Sequence, residues 1–260
     1  MNKIRNVALD QLRDGDLAVG IGLRQARTVD IAPAMKTAGF DWLFIDMEHN
    51  SMDLDVAVQI CVAARACGIS PIVRVPAFQH FHATRVLDGG AQGIVFPHVD
   101  DAETAAQLVD FCRYPPDGRR SITGTLPQID FASIPIDQAA PAINDATLLV
   151  FMLESPKAIS NVDAIAAVTG VDALLIGTSD LTMEMGIPGQ LEHPDVIAAY
   201  EAMLAACKKH NKHPGMGGIY QPDLLQKYIG MGVKLILAGS DLSLLMSAGK
   251  ARVADIRAAQ

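Results

Sequence analysis

Short apolar runs punctuate the chain at residues 17–23, 42–46, 71–75, 93–97, 148–154, 173–177, 215–220 and 234–238. Between and after them, apolar positions recur with helical period near 29–38, 53–67, 80–88, 101–113, 157–168, 194–211, 221–231 and 241–258. Runs that stay apolar instead of alternating are expected of strands buried on both faces. Several predicted helices begin with proline-containing entries: Ser155-Pro156 before Lys157, His193-Pro194, and Gln221-Pro222-Asp223. Gly68, Gly170, Gly230 and Gly232 stand where helices should stop. Strand and helix alternate without hairpin signals, which predicts a parallel sheet. Eight such units favour closure into a (β/α)₈ TIM-type barrel over an open doubly wound sheet. The stretch Gly20-Ile21-Gly22-Leu23-Arg24 is cut off by a charge before it can form a dinucleotide fingerprint. One irregular insert, about 114–130, comes in the connection after the fourth strand, and long loops of this kind tend to be functional.

At 260 residues the chain has the length of one such barrel, so residues 1–260 are read as a single domain. Half of the residues are apolar but only 5% are aromatic, so aliphatic side chains must fill the core. A net charge of −8 makes nucleic acid and anionic membrane poor partners. Lys208, Lys209, Lys212, His210 and His213 are read as the solvated end of a helix. Cys61, Cys67, Cys112 and Cys207 form no CxxC pair and suit reduced thiols in a cytoplasmic protein. Met1-Asn2-Lys3-Ile4-Arg5 lacks the apolar core of a signal peptide, and no apolar run approaches spanning length.

In a barrel of this type the carboxyl ends of the strands meet at one mouth. The second strand ends in Asp46-Met47-Glu48-His49, the third carries Arg74, the fifth ends in Glu154, and Asp180 lies just past the sixth. A rim network of ion pairs is the bland reading. The chemical one is a hard divalent cation on Glu154 and Asp180, Mg²⁺ or Mn²⁺ first and Co²⁺, Ni²⁺ or Zn²⁺ as further candidates. A 2-oxo acid would chelate it through its carboxylate and keto oxygens, and the cation would acidify C3–H and hold the enolate. Arg74 would donate to the developing oxyanion, and His49, oriented by Asp46, would shuttle protons. His80 and His82 are expected at the surface; His98 is left open. No lysine ends a strand, which argues against a Schiff base. Gly215, Gly217, Gly218 and Gly239-Ser240 suit either a phosphate or close packing at the mouth.

Taken together these residues resemble the HpcH/HpaI family of class II, metal-dependent pyruvate aldolases. The resemblance rests on residues 39–49, Val73-Arg74, Leu87-Asp88-Gly89-Gly90-Ala91-Gln92, 113–120, Leu153-Glu154-Ser155 and 176–181. It implies reversible cleavage of a 4-hydroxy-2-oxo acid to pyruvate or hydroxypyruvate plus an aldehyde, with Glu154 and Asp180 as metal ligands. It further implies that Arg74 binds pyruvate, that Asp46 and His49 handle protons, and that the Ser179 and Asp180 amides beside Gly177 hold its carboxylate. Asp88 would support the site, from a neighbouring subunit, in a homohexamer built as a trimer of dimers in which the C-terminal helix packs on a neighbour. Gly22, Met152, Gly217 and Ser121 depart from the family pattern. The first and third of these suggest a roomier mouth, where Arg24 or Arg27 would meet an acidic or hydroxylated aldehyde. Two rivals stand beside this reading: an acyl-CoA lyase of the malyl- or citramalyl-CoA type, and a non-catalytic barrel that binds 2-oxo acids.

Overall fold

A computed structural model describes residues 4–76 and 80–259 of the chain. The expectations for Met1–Lys3 and for the His80 side chain lie outside the described residues. The strands are β1 (Ala18–Leu23), β2 (Trp42–Asp46), β3 (Ser70–Arg74), β4 (Gly93–Phe96), β5 (Leu148–Leu153), β6 (Ala173–Gly177), β7 (His213–Gly217) and β8 (Leu235–Ser240). All neighbours are parallel, and β1 pairs with β8 to close the barrel. The described helices are α1 (Val7–Asp14), α2 (Ile31–Thr37), α3 (Leu54–Cys67), α4 (His80–Asp88), α5 (Ala102–Cys112) and α6 (Ile136–Ala146). They continue as α7 (Pro156–Ser160), α8 (Val162–Ala167), α9 (Thr178–Glu184), α10 (Pro194–His210), α11 (Pro222–Met231) and α12 (Asp241–Ala258). Among the described residues, no helix is long and apolar enough to cross a membrane.

Period-two alternation along each strand separates two cores. Ile21, Leu43, Ile45, Val73, Phe96, Leu149, Phe151, Leu174 and Ile176 face the helices in one cluster. Trp42, Phe44, Ile72, Val150, Met152, Leu175 and Leu235 form a second cluster with Ala8, Leu9 and Leu12 of α1. The second cluster fills the barrel interior, and α1 closes it at the N-terminal end of the strands. Gly20 leaves room for the Trp42 indole: a Cβ there would lie 2.1 Å from Trp42 Cε2. Trp42 Nε1 donates to Ala18 O at 3.1 Å, so the buried indole is satisfied. Following the inward alternation upward, Trp42 and Phe44 lead to Asp46, Ile72 leads to Arg74, Val150 and Met152 lead to Glu154, and Leu175 leads to Gly177. The polar residues form the next inward layer on top of an apolar plug.

Several sequence expectations need correction. The helix predicted at 157–168 breaks at Asn161, whose φ of −100° and ψ of 5° leave helical geometry, giving α7 and α8. The seventh strand runs earlier than 215–220, because Gly218 at φ +91° turns the chain away. The insert follows α5 and does not approach the mouth. Its Tyr114 packs with Leu126, Ile129, Ala140 and Ile143. Arg113 donates to the carbonyls of Asn144 and Thr147 and to Asp172 Oδ2 (2.6 Å), all beside the starts of β5 and β6. That loop is a structural buttress at the far end.

Candidate active site

Parallel register sets Asp46 directly against Arg74 across β2 and β3. Arg74 Nε donates to Asp46 Oδ1 at 2.9 Å and Nη2 to Oδ2 at 2.7 Å, a two-point pair. Arg74 Nη1 lies 3.1 Å from Glu48 Oε2, and its guanidinium sits 5.0 Å over the Phe44 ring. Both Asp46 and Arg74 are buried. Burial works against Asp46 ionising, but the bonds and charge of Arg74, with the amides of Glu48 and His49, outweigh it and hold the carboxyl below its ordinary range.

His49 meets this cluster differently from expectation. Asp46 accepts from the His49 backbone amide (3.3 Å), whereas the ring Nε2 faces Glu48 Oε2 at 3.7 Å. The carboxylate meant to orient the ring is occupied by Arg74, so Glu48 is the group beside the imidazole. Sequence reasoning gave Glu48 no role, although its place in the Asp46–His49 run at a strand end was the available signal.

Glu154 is buried at the end of β5. Its Oε2 accepts the His98 amide at 2.8 Å, and His98 Nδ1 lies 3.3 Å from the same oxygen. Both contacts follow from the left-handed backbone of His98 (φ 52°), which turns amide and ring onto one carboxylate. His98, left open above, therefore belongs to the site. Gly177 gives Glu154 its space: a Cβ there would stand 2.4 Å from Glu154 Oε1. Burial pushes the Glu154 carboxyl above its usual range and the nearby Asp180 charge adds to this, against the His98 amide, the His98 ring and Arg74.

Asp180 lies in the first turn of α9, which starts directly after Gly177 with no intervening loop. Ser179 and Asp180 are exposed and line the mouth with Gly177. First-turn amides have no partner inside their helix. Thr178 Oγ1 donates to Gly217 O (2.8 Å) and meets Tyr200 Oη at 2.8 Å, fixing the turn against β7. These groups surround a cleft of about 270 Å³ lined by Arg24, Asp46, His49, Arg74, Ser179, Asp180 and Tyr220, with glycines 22, 177, 217, 218 and 239 along its walls. No lysine lines it among the described residues.

Of the sequence-predicted residues, Asp46, His49, Arg74, Glu154, Gly177, Ser179 and Asp180 come together at this mouth. Asp88 does not. It ends α4, at the opposite end of the barrel, and pairs with Arg120 Nη2 at 2.6 Å. The basic cluster lies apart too, with Lys209 and His210 both on Asp163 at 2.9 and 3.0 Å.

Among the described residues no three His, Cys, Asp or Glu side chains converge as a closed metal cage. What the mouth does provide is two carboxylates that feel one another's charge, Glu154 buried at the end of β5 and Asp180 exposed at the start of α9. A buried carboxylate that resists ionisation is one a cation would favour, and an all-oxygen pair with open positions suits a hard divalent ion completed by water and substrate. The residues present fit such an ion.

A closed parallel barrel with acidic, cationic and imidazole groups gathered at its strand ends has the layout of a barrel enzyme. The chain belongs to the HpcH/HpaI aldolase/citrate lyase family, whose model matches residues 24–248. It is 40% identical over 244 residues to the 4-hydroxy-4-methyl-2-oxoglutarate aldolase of Hapsidospora irregularis, covering 92% of this chain and 90% of that one. It is 33% identical to the hydroxypyruvate/pyruvate aldolase of Roseobacter denitrificans, covering 94% of each. The crystal structure of an HpcH/HpaI aldolase from Desulfitobacterium hafniense DCB-2 superposes with a TM-score of 0.92 at 29% identity, over 97% of both chains.

Proposed function

We propose that this protein is a metal-dependent aldolase that reversibly cleaves a 4-hydroxy-2-oxo acid to pyruvate or hydroxypyruvate and a carbonyl product, with residues 1–260 acting as one barrel domain. The observation that carries the reading is the Arg74 guanidinium, held by Asp46 and Glu48, in the same cleft as Asp180, with the buried Glu154 carboxylate against the cleft-lining Gly177 and within electrostatic reach of both. Mg²⁺ or Mn²⁺ on Glu154 and Asp180 would supply Lewis acidity to the substrate's keto and carboxylate oxygens. The amides of Ser179 and Asp180, beside Gly177, receive that carboxylate. Arg74 donates to the keto oxygen, where negative charge gathers as the C3–C4 bond breaks. His49, whose ring Nε2 lies 3.7 Å from Glu48 Oε2, takes the proton from the C4 hydroxyl. As the C3–C4 bond breaks, C4 leaves as the carbonyl carbon, and C3 takes back the proton that His49 removed, giving pyruvate and restoring the neutral ring.

Asp88, in this reading, serves the site of a neighbouring subunit within a homohexamer. Support comes from α12, which has no buried residue and exposes Leu244, Leu245, Met246, Val253 and Ile256. The four cysteines are free thiols, in keeping with a cytoplasmic setting. The acyl-CoA lyase alternative is less well supported. Arg119 and Arg120, the basic pair available for a nucleotide, are engaged by Asp110 and Asp88 away from the mouth.

The direct test is solvent deuterium exchange into the pyruvate methyl group, which reads enolisation without knowledge of the aldehyde. Exchange that requires Mg²⁺ or Mn²⁺ and stops in EDTA is expected. Binding of pyruvate without exchange would instead identify a non-catalytic barrel.

A further inference from the structure

We propose that Arg24 selects the second product by binding a carboxylate on the fragment released from C4, so that the substrate is a 4-hydroxy-2-oxo dicarboxylate and that fragment an oxo acid. This rests on the aldolase reading above and assigns the far end of its substrate.

Arg24 follows β1 immediately and lines the same cleft as Arg74. Asp241, at the start of α12, accepts the amides of Arg24 (2.9 Å), Gln25 (2.9 Å) and Ala26 (2.7 Å), which fixes the backbone of the loop. The guanidinium is tethered once, Nη2 donating to the His49 carbonyl at 3.1 Å. That bond uses one of five guanidinium donors. Among the described residues no carboxylate lies within ion-pair distance of Arg24. The contrast with Arg74 is sharp: the floor guanidinium is neutralised by both Asp46 and Glu48, while the rim guanidinium carries its charge into the cleft uncompensated.

Gly22, Gly217 and Gly239 line the same cleft without side chains that would narrow it. The Tyr220 phenol lies where both Arg24 and Arg74 act on it, countering the burial that pushes its hydroxyl up. A cleft with one cationic group deep and one at its rim matches a small anion charged at both ends. Arg27, the other candidate in the sequence, is spent elsewhere: it donates to Ala26 O (3.0 Å) and Ser51 Oγ (3.3 Å) and does not line the cleft.

The experiment compares kcat/KM for aldol addition of pyruvate to a carboxylate-bearing acceptor, glyoxylate, and to its neutral counterpart, glycolaldehyde. Arg24→Gln should lower the glyoxylate-to-glycolaldehyde ratio by roughly 10- to 100-fold, the worth of one charge-assisted hydrogen-bonded contact. Arg24→Lys, which keeps the charge, should recover part of that ratio. An unchanged ratio in Arg24→Gln, or equal losses on both acceptors, would overturn the assignment. Wild-type deuterium exchange into pyruvate separates the two claims. If exchange is absent, the aldolase reading fails and takes this inference with it; if exchange is present and the ratio does not move, Arg24 alone is wrong.

Discussion

Asp46 and Arg74 sit opposite each other on adjacent strands and close a two-point ion pair, 2.9 and 2.7 Å, on top of the apolar barrel interior. The pair aims the third arm of the guanidinium. With Nε and Nη2 committed to Asp46, the Nη1 side faces Glu48 and the cleft. A buried ion pair of this kind contributes little beyond an apolar alternative, but removing one partner strands the other.

Asp46→Ala should therefore destabilise the fold by about 3–5 kcal/mol at neutral pH and abolish enolisation. The pH dependence has a definite sign. Because the folded Asp46 carboxyl titrates below its ordinary value, its contribution is complete above the usual aspartate range and is lost as pH falls through and below it. Urea unfolding of wild type and variant should diverge most near neutrality and converge in acid below about pH 4. A constant gap across that window would contradict the assignment.

Arg74→Lys tests the same geometry from the other side. A lysine ammonium cannot reproduce the planar fork that meets Asp46 twice and leaves a donor for the keto oxygen. Deuterium exchange should fall by at least about 10²-fold, the scale of losing one preorganised oxyanion donor. Near-wild-type exchange in this variant would remove Arg74 from its role.

Much of this was legible in the chain before folding. Uninterrupted apolar runs announced a sheet buried on both faces, and charges that violate those runs at Asp46, Arg74 and Glu154 marked the mouth. Other features were not legible, for identifiable reasons. Helix α1 is one short amphipathic turn sequence whose significance lies in plugging the barrel. Helix α6 carries Pro141 inside it, which local rules count against a helix. Helix α9 starts directly on the end of β6, so no turn signal separates the two. The pairing of the His49 ring with Glu48, and the left-handed His98 that reaches Glu154, depend on side-chain direction at strand ends, which spacing alone does not give. Asp88 is the counterexample: its motif is present, but α4 returns it to the far end of its own barrel.

Gly177→Ala separates room from fold. The added methyl would stand 2.4 Å from Glu154 Oε1 and 2.7 Å from its Cγ, and Gly177 has φ −83°, a conformation alanine adopts freely. The response is for the whole Glu154 side chain to move aside. Thermal stability should change little, while metal-dependent exchange falls by roughly 10²-fold through misplacement of one ligand. A variant that loses its fold, or keeps full activity, would show that Glu154 is not held where the glycine places it.

Glu154 itself gives the most discriminating measurement. A carboxyl whose folded pKa exceeds its unfolded value costs stability once pH passes the ordinary glutamate range, and the cost is full above the raised value. In EDTA at neutral pH, Glu154→Gln should thus unfold no lower than wild type, since the amide oxygen still accepts the His98 N–H and no charge is buried. A bound divalent cation reverses the balance for wild type alone. At one hundred times its dissociation constant it stabilises by about 2.7 kcal/mol, which for a chain of this size is roughly 5–10 °C in Tm. Scanning fluorimetry with Mg²⁺ or Mn²⁺ should show that rise for wild type, smaller at pH 5 than at pH 7.5 because protons compete for the carboxylate, and little or none for Glu154→Gln. Equal cation responses in the two proteins would place the metal elsewhere.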